Sequence, residues 1–213
     1  IGKKYKFIMS FNVELPLNSL SFGQISYNLM YELFRRGVSP NLFPISNPDI
    51  SAYNKTTDDF KLYLQGGINK ALNQFNSTQP YLRLWHFGGG HHKLSKVSNS
   101  LITFLEVDSI TETERNIANS YDKIFLTSNF TKQVFENHGV TSKIVFLPLG
   151  VDPVYTKKLN KKSFNDGSIV WAIIGKYEER KGHTQAIRGW IKKFGNQRGH
   201  RLHLHIQNPF LKP

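Results

Sequence analysis

The stretch Lys123-Ile-Phe-Leu-Thr-Ser-Asn-Phe-Thr-Lys-Gln-Val-Phe-Glu-Asn-His-Gly-Val-Thr-Ser-Lys-Ile-Val-Phe-Leu147 holds a strand, a helix and a second strand. Lys123 to Thr127 is a short apolar run. Ser128 offers its hydroxyl as an N-cap, Val134 and Phe135 supply an apolar face, and Gly139 stops the helix before Lys143 to Leu147 returns to an extended pattern. A helix between two buried strands predicts that those strands run parallel, because parallel neighbours need a crossover.

The same rhythm extends in both directions. Upstream, Tyr5 to Phe11 reads as a buried strand, and Ile25, Leu29, Met30, Leu33 and Phe34 recur at helical spacing before a stop at Gly37. Val38 to Ile45 is a second strand, and Thr57-Asp58 caps a helix through Phe60 and Leu64. Tyr81 to Phe87 and Leu101 to Val107 are strands, followed by a polar helix from Thr111 to Tyr121. Residues 148–167 break the alternation, and a second strand-helix-strand follows: Ile169 to Ile174, Thr184 to Phe194, Arg201 to Ile206. The predicted chain is therefore α/β, with a Rossmann-like parallel-sheet domain over 1–150, a basic linker over 151–167, and the opening of a second Rossmann-like domain over 168–213. In such sheets ligands sit outside the carboxyl ends of the strands.

Composition narrows the partners. With 39% hydrophobic and 13% aromatic residues in 213, the chain can bury a core, which excludes wholesale disorder. Zero Cys excludes a disulfide scaffold and thiolate chemistry. No apolar run approaches the roughly 20 residues needed to span a bilayer. Of the net charge of +13, residues 1–148 contribute 15 Lys/Arg against 11 Asp/Glu, a net of +4, and residues 149–213 contribute 13 against 4, a net of +9. The partner of the last third is expected to be anionic: a nucleic acid, an acidic membrane surface or a phosphate-bearing small molecule.

Three segments carry the chemistry. Gly23, in the turn after the first strand, allows backbone N–H groups to approach an anion at a helix N-terminus. His86 stands between a strand and the loop Gly88-Gly89-Gly90-His91-His92, where an imidazole can reach substrate. No carboxylate accompanies these histidines, so no metal site is expected. The turn Gly175-Lys-Tyr-Glu-Glu-Arg-Lys-Gly182 presents Lys176 and Lys181 between a strand and a helix, as a phosphate would require.

The order of these segments resembles the group 1 glycosyltransferases, the retaining, glycogen-synthase-like enzymes of the GT-B fold. The resemblance rests on residues 124–140 with Lys143-Ile-Val-Phe-Leu-Pro-Leu-Gly-Val-Asp152, followed by Ile174-Gly-Lys-Tyr-Glu-Glu-Arg-Lys-Gly182. It implies a metal-independent hexosyl transfer from a nucleoside-diphosphate sugar to a glycan, lipid or protein acceptor, with no cofactor besides that donor. Gly23, Lys176 and Lys181 would bind the donor diphosphate, and His86 would act at the reacting sugar. It also implies a cytoplasmic enzyme in peripheral contact with acidic membrane. Lys176 stands where the family more often has Arg, and the family's paired glutamates seven residues apart are not in these 213 residues, so this stretch by itself is expected to be inactive. Two other readings compete: a non-catalytic, glycosyltransferase-like assembly component, and a basic nucleic-acid-binding module using Phe164, Trp171, Tyr177 and Trp190.

Overall fold

Strands Asn12–Leu15 (β1), Asn41–Pro44 (β2), Tyr81–Leu84 (β3), Asn99–Thr103 (β4), Lys123–Leu126 (β5) and Lys143–Phe146 (β6) form one sheet in the order β2-β1-β3-β4-β5-β6. Every pairing is parallel, as with Asn12 opposite Asn41 on one side and Tyr81 on the other. The computed structural model describes residues 10–53, 56–87, 95–151 and 167–208. The chain divides into two compact units, Ile1–Gly150 and Val151–Pro213. The α/β, Rossmann-like architecture is the one the alternation predicts.

Helices Ser21–Arg35 (α1), Asp58–Asn73 (α2), Glu112–Ala118 (α3) and Asn129–Asn137 (α4) cover the sheet on both faces. Alternation along the strands sorts the core into two clusters. Val13, Leu15, Leu42 and Leu84 pack with Phe22, Met30, Phe60 and Leu64 from α1 and α2. Tyr81, Leu101, Ile124 and Leu126 pack with Ala118, Val134 and Phe135 from α3 and α4. The predicted caps at Thr57 and Ser128 form, and Thr111, expected as the first residue of its helix, caps it instead. The Thr57 hydroxyl accepts from Phe60 N, Thr111 and Glu114 make a reciprocal capping box, and the Ser128 hydroxyl accepts from Thr131 N at 3.1 Å. Gly139 takes φ +75° directly after α4, the left-handed stop that only glycine adopts freely.

Strand limits differ from the predicted ones: in the first unit most predicted runs continue past the ladder, and in the second both strands are longer than predicted. The first begins at Asn12, whereas Tyr5 to Phe11 was read from apolarity alone; residues 1–9 lie outside the described residues. What sets the register is polar. Asn41 Nδ2 donates to Asn12 Oδ1 at 2.9 Å and to Gln79 Oε1 at 2.8 Å, and Asn12 Nδ2 donates to the Asn76 carbonyl at 3.1 Å. Both asparagines are buried, so a slip of one residue would leave several polar groups unpaired. Pro40 and Pro44 bound β2, which is tolerated because β2 is an edge strand.

A charge pair sits inside this sheet. Glu14 of β1 and Arg83 of β3 are register partners with the carboxylate 3.2 Å from Nε, and their side chains are 13% and 6% exposed. The Tyr81 hydroxyl donates to the same Glu14 carboxylate. Burial, together with that carboxylate, pushes the Tyr81 phenol well above its ordinary range.

In the second unit, Ile169–Lys176 (β7) and His200–Gln207 (β8) pair in parallel, with His183–Phe194 (α5) between them in sequence. Phe194 stacks on Trp171 at 4.9 Å and on His200 at 4.5 Å between ring centroids. Ile174, of opposite parity to Trp171, is 76% exposed on the other face.

Candidate functional site

Strand order fixes where a ligand should be sought in the first unit. The chain runs from β1 to the neighbouring edge strand β2, then returns to place β3 on the other side of β1. The connections reverse direction between β1 and β3, so a crevice opens at their carboxyl ends. The Leu17–Gly23 segment leaves β1 there, and His86 follows the end of β3 by two residues. The structure brings these two together: the Phe22 ring meets the His86 ring edge-on at 4.6 Å and stacks on Phe104 at 3.9 Å.

Gly23 lies within the first turn of α1, which begins at Ser21. A Cβ at this position would lie 2.2 Å from the Asn18 carbonyl oxygen and 2.3 Å from its Oδ1. Asn18 is pinned, since the Tyr53 hydroxyl donates to its carbonyl at 2.6 Å and its Oδ1 accepts from Leu20 N at 3.0 Å. The loop folds back onto the helix, and glycine is required for that approach. Gly23→Ala is expected to cost about 1–3 kcal/mol by forcing the loop outward. A thermal melt of the variant that superimposes on the parent would show that the loop yields freely.

His86 is exposed at one edge while Phe22 and Trp85 flank its ring, with Trp85 at 5.0 Å. Partial burial lowers its pKa from the ordinary 6.5, and Glu106 pulls weakly the other way. The imidazole is therefore neutral at pH 7, able to donate from one nitrogen and accept at the other. Because the folded state binds this proton less readily than the unfolded chain, His86 costs stability as pH falls below 6.5. His91 and His92 lie outside the described residues. Among the described residues no group of three His, Cys, Asp or Glu could hold a metal ion.

Beside the crevice is a cavity of about 730 Å³ that sequence reading missed, lined by Leu17, Pro44, Ser46, Ile50, Leu64 and Ile68 among others. Its wall includes Ser46 at φ +69°, a left-handed conformation uncommon outside glycine. Apolar and polar residues from the loop after β1, the end of β2 with its following loop, and α2 form it, and no periodicity links them in the chain.

In the second unit, β7 runs on through Lys176, past the predicted end at Ile174. A short 3₁₀ turn, Glu179–Lys181, then leads to Gly182 at φ +64°, and α5 starts at His183. Lys176 and Lys181 thus stand at either end of one turn, with Lys181 before the helix rather than on it. Glu178, which the sequence reading left unassigned, organises the turn. Its Oε1 is 2.5 Å from Lys176 Nζ and its Oε2 is 2.9 Å from Arg180. The hydrogen bond from Lys176 is the main cause that lowers the Glu178 pKa, with Arg180 and Lys181 adding to it. The alternation of charges in Lys-Tyr-Glu-Glu-Arg-Lys was the available signal.

Of the aromatics offered as a nucleic-acid stacking surface, Trp171 and Tyr177 are 40% and 49% exposed, and Trp171 and Trp190 also contact Phe194 of α5. Trp171 stacks on Phe194, and Trp190 lies 6.1 Å from the same ring. Phe164 is outside the described residues. Among the described residues, no helix is long and apolar enough to cross a membrane.

These features define a Rossmann-like α/β chain with candidate sites at strand ends in each unit. Comparison with family models, with curated proteins and with solved structures returns no match.

Proposed function

We propose that the chain is the acceptor-side domain and the opening of the donor-side domain of a retaining glycosyltransferase using a nucleoside-diphosphate sugar. The observation that carries this reading is the turn from Lys176 to Gly182. It follows a parallel strand, precedes the N-terminus of a 12-residue helix, and holds three cations. Sugar transfer leaves a diphosphate, and cationic side chains at a helix N-terminus stabilise the charge that develops there. Lys181 is exposed and carries neither of the ion pairs that tie Lys176 and Arg180 to Glu178. Lys176 must exchange Glu178 for phosphate before it contributes.

On the acceptor side, the reading is supported by the switch-point crevice with its neutral His86 and by the adjacent cavity. His86 would hold the reacting sugar or the acceptor hydroxyl by one hydrogen bond. The test is kinetic, on the full-length protein with a panel of nucleoside-diphosphate sugars. His86→Ala is expected to lower kcat at least about tenfold while leaving KM near its parent value, as for a contact made mainly in the transition state. Absence of turnover or binding with every UDP- and GDP-linked donor would overturn the assignment, and an unchanged kcat would remove His86 from it.

A further inference from the structure

Among the described residues of the second unit, His183 is the single buried side chain, at 4% exposure. Its Nδ1 is shut off from solvent and has no hydrogen-bond partner. The ring is wedged at the mouth of α5. A Cβ built on Gly175 would lie 3.7 Å from His183 Nε2, and the Tyr177 ring is 5.7 Å away between centroids. The imidazole thus lies directly beneath the turn whose ends are Gly175 and Gly182.

Packing does not account for an imidazole here. A buried nitrogen without a partner is destabilising, and an apolar ring of the same shape would avoid that penalty. No side chain caps α5, because Gly182 occupies the N-cap, and its first turn holds no acidic residue. The imidazole belongs to the first residue of α5, and Arg180 and Lys181 stand in the short turn just before it. The helix N–H groups and the cations suit an anion, and the imidazole can donate to one from its protonated nitrogen.

We infer that His183 is a phosphate-contacting residue of the diphosphate site, its imidazole N–H donating to a phosphoryl oxygen seated on the α5 N-terminus. This rests on the donor-diphosphate reading above and extends it to a residue that reading does not use. Nδ1 is covered in this structure, so the contact requires the turn to rearrange around the ligand. Gly175 leaves the strand end free of a side chain on the path between the ring and the ligand.

The experiment is titration of the full-length protein with inorganic pyrophosphate and with UDP, comparing the parent with His183→Phe, His183→Gln and Lys181→Ala. His183→Phe keeps a ring in the slot and removes the unpaired nitrogen. It is expected to melt no lower than the parent while binding pyrophosphate about tenfold more weakly. His183→Gln, which restores an N–H, should recover part of that loss. In parallel, nitrogen NMR of the parent should show an imidazole resonance moving on addition of pyrophosphate. Parent-like affinity in His183→Phe, or an imidazole spectrum indifferent to pyrophosphate, overturns the inference. If Lys181→Ala alone loses affinity, the diphosphate reading stands without His183. If the parent binds neither probe, both fall.

Discussion

Arg83→Met is expected to destabilise the first unit by about 3–5 kcal/mol, the largest effect of any single change considered for this fold. The reason is what remains. Glu14 would keep a carboxylate in a nearly dry position, with the Tyr81 hydroxyl still donating to it but without the Arg83 guanidinium. Removing one partner of a buried pair is far more costly than removing both, since the stranded charge has lost both water and counter-ion. The double variant Glu14→Gln with Arg83→Met should therefore recover much of the loss. Chemical denaturation of the two variants checks this: equal midpoints would mean that water reaches Glu14 and that the pair behaves as a surface bridge.

Lys181→Ala in the full-length protein should weaken UDP or GDP binding by roughly tenfold to a hundredfold. Arg180→Ala should do much less, because Arg180 is already engaged by Glu178 at 2.9 Å. Lys176 is intermediate: it begins bound to Glu178, so its contact with phosphate is offset by the pair it gives up. Calorimetric titration orders the three. Equal, small effects from Lys181→Ala and Arg180→Ala would identify the segment as a solvated charged turn.

The fold was legible because its signals are local. Ser128 and Thr57 cap helices at the positions where their hydroxyls stand in the sequence. Gly139 and Gly182 mark left-handed turns. Strand limits were less legible, since apolar runs such as Tyr81 to Phe87 continue past the last ladder residue, Leu84, into core contacts made by Phe87 from outside the sheet. The β1 register was hidden for a different reason. It is specified by Asn12, Asn41 and Gln79, whose pairing is a long-range property that polarity patterns do not display.

The candidate site was legible in part. His86 and the Leu17–Gly23 turn were readable as strand-end loops, but their contact through Phe22 follows from the order β2-β1-β3, which one sequence does not reveal. Gly23 was read as space for an anion, whereas Asn18 fills that space. Glu178 and His183 escaped notice because each looks ordinary in the chain. Their interest arises from what faces them: two cations in one case, no partner at all for Nδ1 in the other.

On the proposed diphosphate reading, the Glu178 clamp would make the turn selective among anions by valence. A chloride or acetate ion offers Lys176 one negative charge, which the carboxylate tethered 2.5 Å away already supplies. The free ion must also surrender translational freedom that the tethered group does not have to lose. A monovalent ion would therefore compete poorly with Glu178. An anion bearing two or three charges can satisfy Lys176, Lys181 and the helix N-terminus together and release the carboxylate to water. On that reading, a segment of net charge +9 would carry, in a turn holding three of its cations, a built-in competitor that keeps simple salts from saturating it.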